Sequence, residues 1–391
     1  MGTKGSIPED AGVAIIGGGI IGVSIAYYLA KRGMPKVVLL ERHTLGSGST
    51  AKCAGGIRTQ FSTPINIQMS LLSLGVLKGF RKEFGIDPCF CAAGYLFLES
   101  DRKRWKTLEA NASLMERFGL QSELLDPDEI RSRWPFIAVN DLIGASYTAK
   151  DGYAGPHEVL QGFAKGARRL GAVLIEDAEV VAVETKKDRI CAVHMRSGET
   201  LSTEIVVNAA GPRAAQVASL VGLDLPVRSQ RRQVFFTPPF DDLPQFVPIL
   251  IDLARGWYMR REGSALLLAG PKDSHISFNE RPDFDGQLWA AEQSIHRVPV
   301  LTLAQIAGGW AGLYEISPDH HAIIGSFPEL KGFICANGFS GHGFQHAAAA
   351  GLLIAELIVD GKATTMDLFP LRPQRFRERD LIHEPLTAFT D

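Results

Sequence analysis

Four apolar residues, Val13 to Ile16, run straight into a glycine-rich turn, Gly17 to Gly22, and no other stretch of this chain limits its fold so sharply. A short strand with no polar side chain suits the middle of a parallel sheet that helices cover on both faces. The turn has glycines at the G-x-G-x-x-G positions Gly17, Gly19 and Gly22. It opens an apolar segment that is predicted to be helical to about Arg32, where Gly33 and Pro35 stop it. A second strand, Lys36 to Leu40, ends at the acidic Glu41, 19 residues after Gly22. Strand, glycine turn, helix and acidic strand end together make the dinucleotide-binding fingerprint.

Each residue type in that pattern has a physical task. Gly17 makes the tight turn, Gly19 lets the backbone approach a pyrophosphate, and Gly22 lets helix and strand pack closely. The helix start at Ile20 and Ile21 offers free N–H groups and a partial positive charge to phosphates. Glu41, followed by Arg42, is placed to accept hydrogen bonds from ribose hydroxyls, which favours FAD or NAD over NADP. The loop Gly46 to Arg58 favours FAD. Its hydroxyls Ser47, Ser49 and Thr50 are candidates for the second phosphate, and Gly56 and Ile57 carry the chain past a large flat ligand.

Two further strings repeat the strand, glycine turn, helix order. One is VVNAAGPRA, with Ala210 and Gly211 at the turn and Pro212 placed to start a helix. The other is ANGFSGHGFQHAAAAG, in which Gly341 and His342 lie in the turn and Gly343, Phe344 and Gln345 open a long apolar helix, Gly343 to Asp360. A helix start there would stabilise negative charge on a reduced flavin. Arg58 enters the expected site beside the flavin and could hold a substrate carboxylate with two parallel N–H groups. Tyr258 and Tyr314 are candidate site hydroxyls or core aromatics, alternatives the sequence leaves open. His342 and His346 are four apart, but no third ligand at a fitting spacing accompanies them, so no metal site is expected. His320 and His321 follow Pro318 in a turn and are expected at the solvent.

The remaining pattern fixes the organisation. Rossmann-type signals stand at the start, middle and end of the chain, with antiparallel-looking strands between them. The expected fold is α/β: a discontinuous Rossmann-type FAD-binding domain (residues 11–82, 151–224 and 304–365) with an inserted α+β substrate domain. That second domain (83–150 and 225–303) is built on a mainly antiparallel sheet. Residues 366–391 form a charged tail expected to pack loosely. Thr200 to Asn208 reads as one strand, and Cys89 and Cys91 as two residues of a half-buried strand. At 391 residues and 46% hydrophobic, the chain can bury a large core. A net charge of −2, with both signs mixed along the chain, excludes the basic footprint of a nucleic-acid binder. Five cysteines with no framework spacing, a polar start without a secretory signal, and no membrane-spanning segment together predict a cytoplasmic protein.

The strings GGGIIGVSIAYYLA with LLER, AGLYEISPDHHAIIG and NGFSGHGFQHAAAAG resemble the D-amino-acid oxidase superfamily of FAD enzymes. Nearest in pattern is its sarcosine oxidase, glycine oxidase, dimethylglycine dehydrogenase and proline dehydrogenase β-subunit branch. The resemblance implies hydride transfer from the carbon beside an amine nitrogen to flavin N5. The substrate would be a small amino acid or secondary amine. It implies that Arg58 binds the substrate carboxylate, that the Val180 backbone meets the adenine, and that Gly341 to Phe344 meet the flavin's pyrimidine edge. Monomeric sarcosine oxidase tethers its flavin through a cysteine where this chain has Gly312, so noncovalent FAD is expected. A second carboxylate ligand, a lysine, is replaced by Gln345, and the position of that enzyme's oxygen-activating lysine maps near Leu267, a loss that favours a dehydrogenase over an oxidase. Glycine oxidase has an arginine near Tyr314 that is missing here, which argues against glycine-like substrates. Oxygen or a partner protein remains open as electron acceptor, and so does an oligomer. The alternatives are the catalytic β-subunit of a multi-subunit amine dehydrogenase and a flavoprotein assembly factor that turns over nothing.

Overall fold

In the computed structural model, residues 7–385 are described, and so are their side chains except those of 271–275. Two sheets carry the architecture. The first contains the glycine fingerprint. Its central order is Leu330–Asn337, Val206–Asn208, Val13–Ile16, Val37–Leu40 and Val173–Ile175, all parallel. Val13–Ile16 is buried along its whole length, as its apolar run predicts. Arg189–Met195 and two antiparallel partners extend the sheet at one end.

Helices Ile20–Lys31, Pro156–Arg169 and Gly343–Val359 cover one face of this sheet. Small residues let the first and last of them approach closely. A Cβ added to Gly351 would lie 2.3 Å from Ser24 Oγ.

The second sheet has eight strands and is antiparallel except where Ile249–Asp252 runs alongside Tyr95–Glu99. Gly308–Ile316 is its edge strand and pairs with Arg228–Phe236 in continuous register. This strand's backbone partners are therefore in the second sheet. Its end hooks back to the first half: Ser340 N donates to the Glu315 carbonyl. That crossing places Gly312 to Glu315 between the two sheets.

Several expectations are corrected. Thr200 to Asn208 is two strands, Thr200–Ser202 and Val206–Asn208, at different places in the sheet. Thr203 makes the break, because its hydroxyl donates to the Ile205 carbonyl and accepts from Ile205 N. Cys89 is exposed and left-handed (φ 51°), outside any strand, and only Cys91 makes a β-bridge, to Tyr153. His321 is fully buried, with Nδ1 against the Asp319 carbonyl and Nε2 against Thr63 Oγ1. The described part of the tail is anchored: Arg375 is fully buried and its guanidinium meets Asp319 at 2.7 and 2.8 Å. A charged stretch packs tightly here because its cation finds a buried carboxylate.

Candidate cofactor and substrate site

A cavity of about 850 Å³ runs between the two sheets, and a smaller one of about 110 Å³ adjoins it. Ala54, Tyr258, Tyr314 and Gly341 line both, so the two are neighbours that share a wall. The larger volume is at the upper end of the range for cofactor sites, about 300–1,000 Å³.

The glycine fingerprint lies at one end of the large cavity. A Cβ on Gly22 would stand 1.9 Å from the Gly17 carbonyl oxygen, and one on Gly17 would stand 2.3 Å from the Ala209 carbonyl oxygen. These two glycines are required by the protein's own packing. Gly19 is different: its nearest protein neighbour would be Thr50 Oγ1 at 3.4 Å, and the residue faces the cavity. The space kept clear at Gly19 is the approach that a pyrophosphate needs beside a helix start. Glu41 lines the same region with its carboxylate fixed by backbone donors, Gly18 N at 2.7 Å on Oε2 and His43 N at 2.8 Å on Oε1. Each oxygen keeps a further lone pair for a ribose hydroxyl. These residues fit FAD: fingerprint, ribose acceptor and a second helix start at Gly343 face one cavity of about 850 Å³.

Other candidates fall into three groups. Ile20, Ile21, Arg42, Ser47, Ser49, Thr50, Ala210, Gly211, Gly312, Gly343 and Phe344 also line the large cavity. Thr50 Oγ1 accepts from Ile20 N at 3.0 Å, so its hydroxyl closes one free helix donor and keeps its own proton to donate. Ser49 donates its proton to the Leu313 carbonyl at 2.6 Å. It ties the loop to the crossing strand, and its hydroxyl has no proton left for a phosphate. Gly56, Arg58 and His342 line the small cavity instead. Ile57, Val180 and Gln345 line neither, and Gly22 is a packing residue. Gln345, expected to anchor substrate, stands behind the site, where its Oε1 accepts from Arg58 N at 2.8 Å. Val180 starts a strand, and the chain just before it, at Ala178, is bonded to the Glu41 carbonyl.

The small cavity has a distinct chemistry. Arg58 follows the two-residue strand Gly56–Ile57, which pairs with Gly152–Tyr153 and so fixes where the side chain leaves the backbone. Its guanidinium stacks on Phe61, 3.9 Å from the ring centre, donates to the Gln60 carbonyl, and meets His342 Nε2 at 3.1 Å. Burial, then the Arg58 charge, holds the His342 imidazole well below its ordinary range. The ring is neutral, and Nε2 accepts from the guanidinium. Among the described residues Arg58 forms no ion pair, and burial lowers its own pKa. Tyr95, Phe97, Ile249 and Ile251 supply apolar walls. Burial pushes the phenols of Tyr258 and Tyr314 up, so both stay protonated.

Several site residues escaped sequence reasoning. Tyr95 and Glu384 line the small cavity, and Glu315 and Arg232 line the large one. Glu315 stood within the quoted string AGLYEISPD and could have been found there. Arg232 places its guanidinium 5.0 Å from the centre of the Tyr314 ring. Nothing local marks Glu384, which arrives from the tail.

Comparison with known proteins agrees with this geometry. The family described as DAO, FAD dependent oxidoreductase, is matched over residues 12–357. The chain is 34% identical to FAD-dependent oxidoreductase domain-containing protein 1 of Xenopus laevis, over 96% of this chain and 85% of that protein. It is 29% identical to mitochondrial sarcosine dehydrogenase of Mus musculus, over all of this chain but only 43% of that protein. Among solved structures it is similar to L-proline dehydrogenase from P. horikoshii, with a TM-score of 0.90 and 32% identity over 96% of this chain and 100% of that one. Glycine oxidase from Geobacillus kaustophilus gives a TM-score of 0.84 at 26% identity, over 94% and 99%. The chain belongs to the DAO family of FAD-dependent oxidoreductases.

Proposed function

We propose that this flavoenzyme oxidises the C–N bond of a small amino acid or secondary amine that carries a carboxylate. The observation that carries the reading is Arg58, a desolvated cation without an ion-pair partner among the described residues, facing a small cavity next to the cofactor space. An unpaired buried charge is costly, and a substrate carboxylate would complete it. The relatives support the class, since sarcosine dehydrogenase, L-proline dehydrogenase and glycine oxidase are named for such substrates.

Bound FAD would supply the acceptor for the hydride leaving the carbon beside the amine nitrogen. Residues of the chain do the rest. Phe61 and His342 hold the guanidinium in place, and Gln345 holds the backbone from which it springs. Tyr95, Phe97, Ile249 and Ile251 exclude water and orient the substrate's apolar part. Orientation in a dry site carries most of such a reaction, which needs a neutral amine but no dedicated strong base. We also propose that the reduced enzyme passes its electrons to an acceptor other than oxygen. The position expected to hold an oxygen-activating lysine is the buried Leu267, opposite Arg260 on the neighbouring strand.

The test is anaerobic bleaching of the flavin by N-methyl amino acids and imino acids, each paired with its decarboxylated analogue. Arg58→Ala should weaken the carboxylated member by about 2–5 kcal/mol and spare the other, with Arg58→Lys intermediate. Equal losses for both members would assign Arg58 to the fold and remove the reading's main support.

A further inference from the structure

The large cavity has an acid in its wall that the proposed reaction has not used. Glu315 is half-buried, and the part it exposes faces that cavity. It stands near the end of the edge strand Gly308–Ile316, where the chain crosses between the sheets. Its carboxylate lies against the turn before the last long helix. Oε2 accepts from Gly338 N at 3.1 Å, and Oε1 lies 3.9 Å from where a Cβ on Gly343, the first residue of that helix, would stand. Among the described residues Glu315 forms no ion pair. Charged groups on the elements packed round it are engaged elsewhere: Arg231 meets Asp283, Lys52 meets Glu280, Arg232 lies against the Tyr314 ring and Arg213 against Phe278. Tyr314 beside it and His342 in the turn are neutral. Burial pushes the Glu315 carboxyl from 4.5 up to about 7, and backbone N–H groups of Gly338 and Phe339 pull against that rise.

Two demands meet at this point. The helix start at Gly343 favours negative charge in the cavity, and hydride transfer leaves a flavin with one more negative charge. A carboxylate beside the same helix start opposes that charge, because a second like charge in a dry site is costly. Protonating the carboxyl removes the conflict. We propose that Glu315 takes up one proton from solvent when the flavin is reduced and gives it back on reoxidation. The hydride brings the flavin two electrons and one proton. The Glu315 carboxylate becomes the carboxylic acid, so reduction consumes a second proton without placing it on the flavin ring. Any two-electron reductant should draw the same proton, so the step does not depend on which amine is oxidised. In the oxidised enzyme Glu315 is ionised above about pH 7, and uptake runs from there upward until the higher value of the reduced enzyme is passed.

The test is the flavin's midpoint potential, measured on the holoenzyme by anaerobic reduction with dithionite against a reference dye. The range is about pH 6 to about pH 9, either side of the Glu315 value. Each proton taken up with two electrons moves the potential by about 30 mV per pH unit, the worth of a tenfold change for such a couple. Wild type should fall by about 30 mV per unit below about pH 7 and by about 60 mV per unit above it. Glu315→Gln, which keeps the shape but cannot ionise, should fall by about 30 mV per unit throughout. The reduced flavin should keep the absorption spectrum of its anion in both proteins. Glu315→Asp, which keeps an acid, should keep a steep segment displaced along the pH axis, and it decides the matter if the Gln variant loses FAD. A one-proton slope in wild type at every pH would overturn the inference without any variant. So would a steep segment that survives in Glu315→Gln or stays unmoved in Glu315→Asp, or one that accompanies conversion of the reduced flavin to its neutral form.

Discussion

Three glycines share one fingerprint, yet the structure assigns them different work, and the difference can be measured. Gly19 caps the helix start at φ −73° and ψ 178°, a conformation open to alanine. The nearest protein atom to an added methyl would be Thr50 Oγ1 at 3.4 Å, an ordinary contact. Gly19→Ala should therefore leave the apoprotein folded. It loses at most about 1 kcal/mol, the usual cost of alanine at a helix N-cap. The methyl would instead fill the space kept for the pyrophosphate. Overpacking of that kind costs about 1–3 kcal/mol, which corresponds to a 5- to 150-fold rise in the FAD dissociation constant. Gly22→Ala must behave otherwise, because its methyl would sit 1.9 Å from the Gly17 carbonyl oxygen. Helix and strand would have to separate, and the loss should appear as instability of the apoprotein itself.

The assay is a pair of measurements on apoprotein stripped of flavin: a denaturant midpoint, and an FAD titration followed by flavin fluorescence. The expected pattern is a stable Gly19→Ala with weak FAD binding beside an unstable Gly22→Ala. Unchanged FAD affinity in Gly19→Ala would show that no phosphate approaches that backbone. Equal destabilisation of the two apoproteins would show that Gly19, too, serves packing.

Three more outcomes are expected. The flavin should be released on acid or heat precipitation, because Gly312 stands where a tethering cysteine would be needed; colour retained by the denatured chain would refute this. Reduced enzyme should react slowly with oxygen and rapidly with an artificial acceptor in stopped flow, and rapid stoichiometric peroxide would reverse the assignment of Leu267. Burial raises Asp151 from 3.8 to about 6, against hydrogen bonds from Thr59 that pull it down. Because the folded form favours the protonated acid, its contribution is complete below about pH 4 and declines as the pH rises to about 6, by about 3 kcal/mol. Asp151→Asn should remove that decline from the denaturation midpoints between pH 4 and 7, and an identical slope in the variant would refute the shift.

Legibility in the sequence followed the range of the signal. The fingerprint and Glu41 are local: period, glycine spacing and strand end all lie within thirty residues, and the structure assembles them round one cavity. The three strand, glycine turn, helix strings were legible for the same reason. Thr200 to Asn208 misled because β-branched and apolar residues suit a strand throughout, and only the Thr203 hydroxyl, bonding two residues ahead, breaks it. The edge strand Gly308–Ile316 was legible as a strand but not as a member of the second sheet, since partner choice is set by nine residues some eighty positions earlier. Gln345 was placed on the right turn, but a helix start decides which way each side chain leaves, and that direction is a tertiary outcome.

The histidines and the tail share one cause. Polar residues after a proline, and a charged stretch at a chain end, are exposed in most proteins because burying charge without partners is costly. Here the partners exist but come from far apart: Asp319 meets Arg375, 56 residues on, and His321 meets Thr63, 258 residues back. Each group alone would favour water, and only together do they close a buried polar network. The network then does something that no one of its members suggests. It turns the chain end back toward the small cavity and sets Glu384 in that cavity's wall, so the lining there depends on an ion pair formed elsewhere in the tail.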